Sequence, residues 1–190
     1  MKNTFLPVVA ALAVVLLLLP APAKAQYDHS FGIVLGTMEG FSYKGMIGYH
    51  CAVEADLAWG MNRTVGKATY TSSGVEVTVG DLDLWYWDFC LHPNIMYQAE
   101  ISSEPWADLY WFAGGGFSIG MARPFTDQLW WDKEMGKGGV NAIGGAELVL
   151  KDAPVAVTLD FRPGAAICFR KQTSVTVFDW TLALTARYVF

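Results

Sequence analysis

Nine ionisable residues stand apart from the rest of this chain by where they fall: Lys44, Glu54, Asp56, Glu100, Glu147, Asp160, Arg162, Asp179 and Arg187. In each local stretch they take the positions that the bulky apolar residues leave empty. Where a stretch holds two of them they agree in parity, as Glu54 does with Asp56, Asp160 with Arg162, and Asp179 with Arg187. In extended chain, successive side chains point to opposite faces, so such a set occupies one face. Carboxylates, an ammonium and guanidinium groups gathered on one enclosed face have two uses. They can neutralise one another in a network of ion pairs, which buried charge ordinarily requires. They can also line a narrow ion path; with six acids against three bases, it would favour cations.

Other chemistries are less well provided for. His92 has Asp88 nearby but no serine beside it in the sequence, so a base-assisted nucleophile is not expected, and the chain reads as a non-enzyme. Cys51, Cys90 and Cys168 are far apart and match no metal-ligand spacing, so no metal or other cofactor is expected; whether any two form a disulfide is left open. In "MNRTVGKA" a methionine stands where a phosphate-binding loop needs its first glycine, and Asn62-Arg63-Thr64 is a glycosylation triplet of the kind that arises by chance. The glycines of "AGGGFSIG" fit close packing in a curved sheet better than nucleotide binding. Trp85 to Phe89 and Trp130-Trp131 read as loop aromatics, either an exposed patch or a cover over a barrel mouth.

The elements that must position the nine residues alternate with period two. Val53, Ala55, Leu57, Trp59 and Met61 oppose Glu54 and Asp56; Leu91, Pro93, Ile95, Tyr97, Ala99 and Ile101 oppose His92, Asn94, Gln98 and Glu100. Val155, Val157, Leu159, Phe161 and Pro163 oppose Thr158, Asp160 and Arg162. The closing segment sets Trp180, Leu182, Leu184, Ala186, Tyr188 and Phe190 against Asp179, Thr181, Thr185 and Arg187. Four further segments, "SFGIVLGTM", "FSYKGMIGY", "DLYWFAGGGFSIGM" and "VNAIGGAELVL", bring the number of strands to eight. Short connections at Tyr49-His50, Ser102 to Ala107 and Asp152 to Pro154 alternate with longer ones at Asn62 to Gly80 and Arg123 to Gly139.

Two environments could take the apolar face: the dry core of a soluble barrel, or lipid. Residues 1–25 read as a cleaved secretory signal, with Lys2 in a basic head, an apolar run from Val8 to Leu19, and Ala23-Lys24-Ala25 before Gln26. Once Lys2 and Lys24 leave with it, eleven of thirteen basic residues remain against eighteen acids, a net charge of −7 that argues against nucleic acid as a partner. Aromatics gather near the presumed strand ends, at Tyr43, Tyr49, Trp59, Trp106, Trp111, Trp180, Tyr188 and Phe190, as belts at two membrane surfaces would require. An even number of strands lets the last pair with the first, leaving no bare edge in hydrocarbon.

Four stretches, "GFSYKGMIGYHCAVEADLAWG", "WFAGGGFSIG", "GGVNAIGGAELVLKDAPVAVTLDFRPGAAI" and the terminal "LTARYVF", resemble the small outer-membrane β-barrel domain family, OmpX-like or porin-like in common labels. The likeness runs through essentially all of residues 26–190, and its most specific positions are Gly145, Glu147, Asp160, Arg162, Pro163 and the Tyr188-Val189-Phe190 ending. The tryptophan-rich stretches "LWYWDF" and "DQLWWDKEMGKGG" depart from the family pattern. The resemblance implies an all-β fold, an eight-stranded antiparallel transmembrane β-barrel of up-and-down meander type, in the outer membrane of a Gram-negative bacterium. It also implies that Tyr188 and Phe190 form the signal read by the barrel-assembly machinery.

The expectation is therefore an exported monomer among outer-membrane lipids, with a structural or surface-interaction role, a lumen filled by charged side chains and little or no pore activity. The alternatives are an outer-membrane lipid-modifying enzyme and a narrow cation-preferring pore.

Overall fold

The computed structural model describes residues 27–72, 75–124, 134–170 and 173–190. The expected leader, residues 1–25, and Trp130-Trp131 lie outside the described residues. Eight strands follow in chain order: β1 (His29–Gly36), β2 (Met38–Met46), β3 (Cys51–Ser72), β4 (Val75–Ser103), β5 (Ala107–Pro124), β6 (Met135–Leu150), β7 (Val155–Arg170) and β8 (Thr173–Val189). Each pairs antiparallel with the next, and β1 pairs with β8 from Ser30↔Val189 to Gly36↔Ala183, closing the cylinder as the sequence predicts. At the seam His29 N–H donates to the Phe190 carbonyl (3.1 Å) and Phe190 N–H to the His29 carbonyl (2.9 Å). Phe190 is thus held to the start of β1 by a reciprocal pair of backbone hydrogen bonds.

Burial decides between the two environments. Ile95, Leu159 and Leu182 are 55%, 55% and 48% exposed, while Asp160 and Arg187 are each 1% exposed. The apolar row of each strand faces outward and the ionisable row is enclosed, the reverse of a soluble barrel. The physical reason is the strict period of the pleat: once one residue of a row is placed inside, every second residue follows it.

The sequence-predicted loops are shorter than expected. β3 continues to Ser72 and β4 begins at Val75, so most of Asn62 to Gly80 is a long hairpin; β6 begins at Met135, inside the expected Arg123 to Gly139 connection. "LWYWDF" belongs to β4: Trp85 and Trp87 face outward, and Tyr86 and Asp88 inward. Alternation there was masked because both faces carry large rings. In contrast, β1 and β2 are only 8 and 9 residues long. Beyond their tip β3 pairs directly with β8, from Lys67↔Thr176 to Tyr70↔Thr173. At that tip Gly36 adopts φ +138°, where a side chain would be strained. Gly32 is needed for a different reason. A Cβ there would lie 1.9 Å from the Ala186 carbonyl oxygen on β8, so only glycine lets β1 approach the seam.

Candidate functional site

The enclosed row builds one connected network across the lumen in the half nearer the chain ends. Arg162 on β7 is its first hub. Its Nε donates to Asp160 Oδ1 (2.5 Å), its Nη2 to Asp160 Oδ2 and Glu54 Oε1 (3.1 Å each), and its Nη1 to Asp56 Oδ2. Glu54 on β3 then bridges to a second guanidinium, accepting from Arg187 Nη2 through Oε2. Arg187 on β8 also donates to Ser42 Oγ (3.0 Å) and Thr158 Oγ1 (2.7 Å). Such planar, multidentate donors can satisfy several acceptors at once, which an ammonium cannot do with the same geometry.

Glu147 on β6 is the second hub. Its Oε1 accepts from Tyr27 Oη (2.6 Å) and Gln98 Nε2 (3.0 Å), and its Oε2 from Lys44 Nζ (2.8 Å), Thr158 Oγ1 (3.0 Å) and Arg187 Nη1 (3.5 Å). Lys44 completes the link by donating to Gln98 Oε1 (2.6 Å). Tyr27, just ahead of β1, packs with Val149 and Ala156 as a stopper at the mouth. Burial pushes its phenol well above the ordinary value of 10.0, and the Glu147 carboxylate adds to the effect, so the hydroxyl stays a donor.

Lys44, Glu54, Asp56, Glu147, Asp160, Arg162 and Arg187 are thus brought together, each 3% exposed or less. Glu100 is not. It shares their parity, but β4 shifts register between Glu100 and Ser102, and the residue lies exposed at the rim that carries the chain ends. Asp179 falls in β8, but its side chain lies outside the described set.

A second charge pair was not legible in the sequence. Lys137 Nζ on β6 meets Asp88 Oδ2 on β4, and Asn62 Nδ2 donates to Asp88 Oδ1 (3.1 Å). Both charged residues sat in stretches read as loops; the signal that would have found them is the inward parity Asp88 shares with Cys90, His92 and Asn94. Apolar side chains, among them Tyr86, Met135, Cys168, Val175 and Val177, pack together in the same half of the lumen. Cys51, Cys90 and Cys168 form no disulfide with one another.

The structure also supplies the serine that His92 lacks in the sequence. His92 and Ser118 line a cavity of about 20 Å³ with Asn141, Arg162 and Thr181, and Asp56 is the ladder partner of His92 on β3. Asp56 Oδ2 is taken by Arg162 and Oδ1 has no hydrogen-bond partner. The cavity has room for about one water. Among the described residues no group of three or more His, Cys, Asp or Glu is placed to hold a metal ion.

No family model and no curated protein matches the chain. Among solved structures it is similar to two of Ail, the attachment invasion locus protein of Yersinia pestis. The first shares 13% identity over 84% of this chain and 96% of that one, with a TM-score of 0.26. The second, Ail in complex with the heparin analogue sucrose octasulfate, shares 12% identity over the same shares of each chain, with a TM-score of 0.29.

Proposed function

We propose that this chain is an outer-membrane β-barrel with a structural or surface-interaction role and a sealed lumen. The observation that carries the reading is the inversion of burial: an outer surface of exposed Phe31, Ile95, Leu159, Phe161 and Leu182 encloses a web of ion pairs running from Arg162 through Glu54, Arg187 and Glu147 to Lys44. A soluble protein rarely exposes apolar patches beyond a few hundred Å², whereas a barrel in lipid needs an apolar band about 25 Å tall around its circumference. The web spans β2, β3, β6, β7 and β8, and Tyr27 packs at one mouth, which supports a lumen sealed to ions. The protein is its own monomeric wall, stabilised by outer-membrane lipids and assembled through the Tyr188 to Phe190 ending. The surface-interaction part of the reading rests on the β3–β4 hairpin, which runs from Tyr86 and Asn62 out to Val75 and Ser72, beyond Tyr86↔Pro124, the outermost β4–β5 pair among the described residues.

Electrophoresis of membrane-fractionated protein with and without boiling tests the architecture, and a planar bilayer tests the seal. The folded protein should enrich with outer membranes, change mobility on heating, and give a bilayer current indistinguishable from baseline. Recovery in the soluble fraction would overturn the membrane reading, and stable single-channel steps would replace the sealed barrel with a cation-preferring pore.

A further inference from the structure

Two ladders of the wall are interrupted, and a cavity lies between the interruptions. Among the described residues the β4–β5 ladder stops at Leu91↔Ile119 and resumes at Asn94↔Gly116, and the β6–β7 ladder stops at Asn141↔Gly164 and resumes at Gly144↔Phe161. Each break contains a proline, Pro93 in the first and Pro163 in the second, and proline has no N–H to give to a ladder. Enclosed backbone carbonyls then need donors from elsewhere. Beside the first break side-chain amides supply some: Asn94 Nδ2 donates to the His92 carbonyl (3.3 Å), and Asn141 Nδ2 donates to Asn94 Oδ1 (2.8 Å).

The cavity, of about 20 Å³, has Ser118 from the first break on its wall, Asn141, Arg162 and Gly164 from the second, and Thr181 of β8. Asn141 Oδ1 is buried and has no hydrogen-bond partner within the chain. Ser118 and Thr181 are buried and bring hydroxyls, which can donate as well as accept. A space takes up a water when it offers roughly 10–15 Å³ and two to four polar partners, and this one meets both conditions.

We propose that the cavity binds one ordered water, which donates to Asn141 Oδ1 and is hydrogen-bonded to the Ser118 and Thr181 hydroxyls, joining β5, β6 and β8 where the ladders are interrupted. A cation there would meet the Arg162 guanidinium at close range. An anion would face Asn141 Oδ1, with that guanidinium already committed to Asp56, Asp160 and Glu54. An apolar occupant would leave Asn141 Oδ1 without a donor. The site stands independently of the membrane reading, because the breaks, the cavity and its partners belong to the cylinder whatever surrounds it.

A crystal structure of the full chain from detergent, at a resolution that shows ordered waters, tests the site directly. One peak is expected within hydrogen-bonding distance of Asn141 Oδ1 and of the Ser118 and Thr181 hydroxyls. Urea midpoints in micelles test the sharing. Ser118→Ala and Thr181→Val should each lower the midpoint, and the double variant should lower it by clearly less than the sum, because both changes disturb the same water. The proposal is overturned if the cavity shows no density while its side chains are ordered, if Asn141 Oδ1 is bonded directly to a protein donor, or if the two losses add in full.

Discussion

At the scale of single residues, Glu147 carries the largest share of hydrogen bonds in the network. Five donors from β2, β4, β7, β8 and the segment ahead of β1 converge on its two oxygens. Removing the carboxylate strands Lys44 and part of Arg187 in an enclosed site, and deleting one member of a buried pair costs about 3–5 kcal/mol. Glu147→Ala should lower the urea midpoint in micelles accordingly, followed by tryptophan fluorescence. Tyr27→Phe keeps the ring that plugs the mouth and loses one bond to a charged acceptor, worth about 1.5–3 kcal/mol. The same phenol has a pH signature. Its folded-state pKa lies above the unfolded value of 10.0, so its stabilising contribution is complete below that value and declines as pH rises from there toward the folded pKa. Unfolding midpoints measured across that alkaline range should fall with pH in the parent and fall less steeply in Tyr27→Phe.

At the scale of the strand, what matters is that neighbouring residues live in opposite environments. Leu159 is 55% exposed and Asp160 1% exposed, one bond apart on β7. An arginine on the lipid face near the bilayer midplane costs about 2–4 kcal/mol. Leu159→Arg should therefore lower the folded fraction recovered in lipid vesicles, scored by the unheated gel band, while Leu159→Ile leaves it unchanged. Equal recovery of the arginine variant would place that row away from lipid. Much of each strand was legible in the sequence, because Val53 to Met61 and Val155 to Pro163 alternate without a break. The ends were not. From Trp85 to Asp88 the alternation is Trp, Tyr, Trp, Asp, so a hydropathy pattern sees an aromatic cluster where the pleat sees two faces.

At the scale of the whole molecule, the half of the lumen nearer the chain ends holds the charge network together with the apolar cluster of Tyr27, Val149 and Ala156. Lys44, Arg162 and Arg187 stand against Glu54, Asp56, Glu147 and Asp160, so the acids outnumber the bases by one. If the lumen is sealed as proposed, opening this network should give a conductor of predictable sign. The double variant Glu54→Ala, Arg162→Ala removes the first hub and its bridge to Arg187, while Asp56 and Asp160 remain. Planar bilayers should then show single-channel steps with a reversal potential favouring cations. A double variant that folds and stays silent would shift the closure to the far half, where Asp88 and Lys137 meet among packed apolar side chains.

The sequence by itself determined the strand count, the closed meander and the inward face of the strands whose alternation is unbroken, because a period of two leaves each such strand only two placements and charge excludes one of them. It could not determine which inward charges meet. Glu54 and Arg187 are 133 residues apart, Tyr27 and Glu147 are 120 apart, and their contact depends on strand tilt, register and the approach of facing walls. The same three-dimensional facts set Ser118 and His92 on one cavity, left Glu100 exposed at the rim, and paired Asp88 with Lys137 in the far half, from stretches that read as loops. Local alternation chooses a face, and only closure of the cylinder chooses a partner.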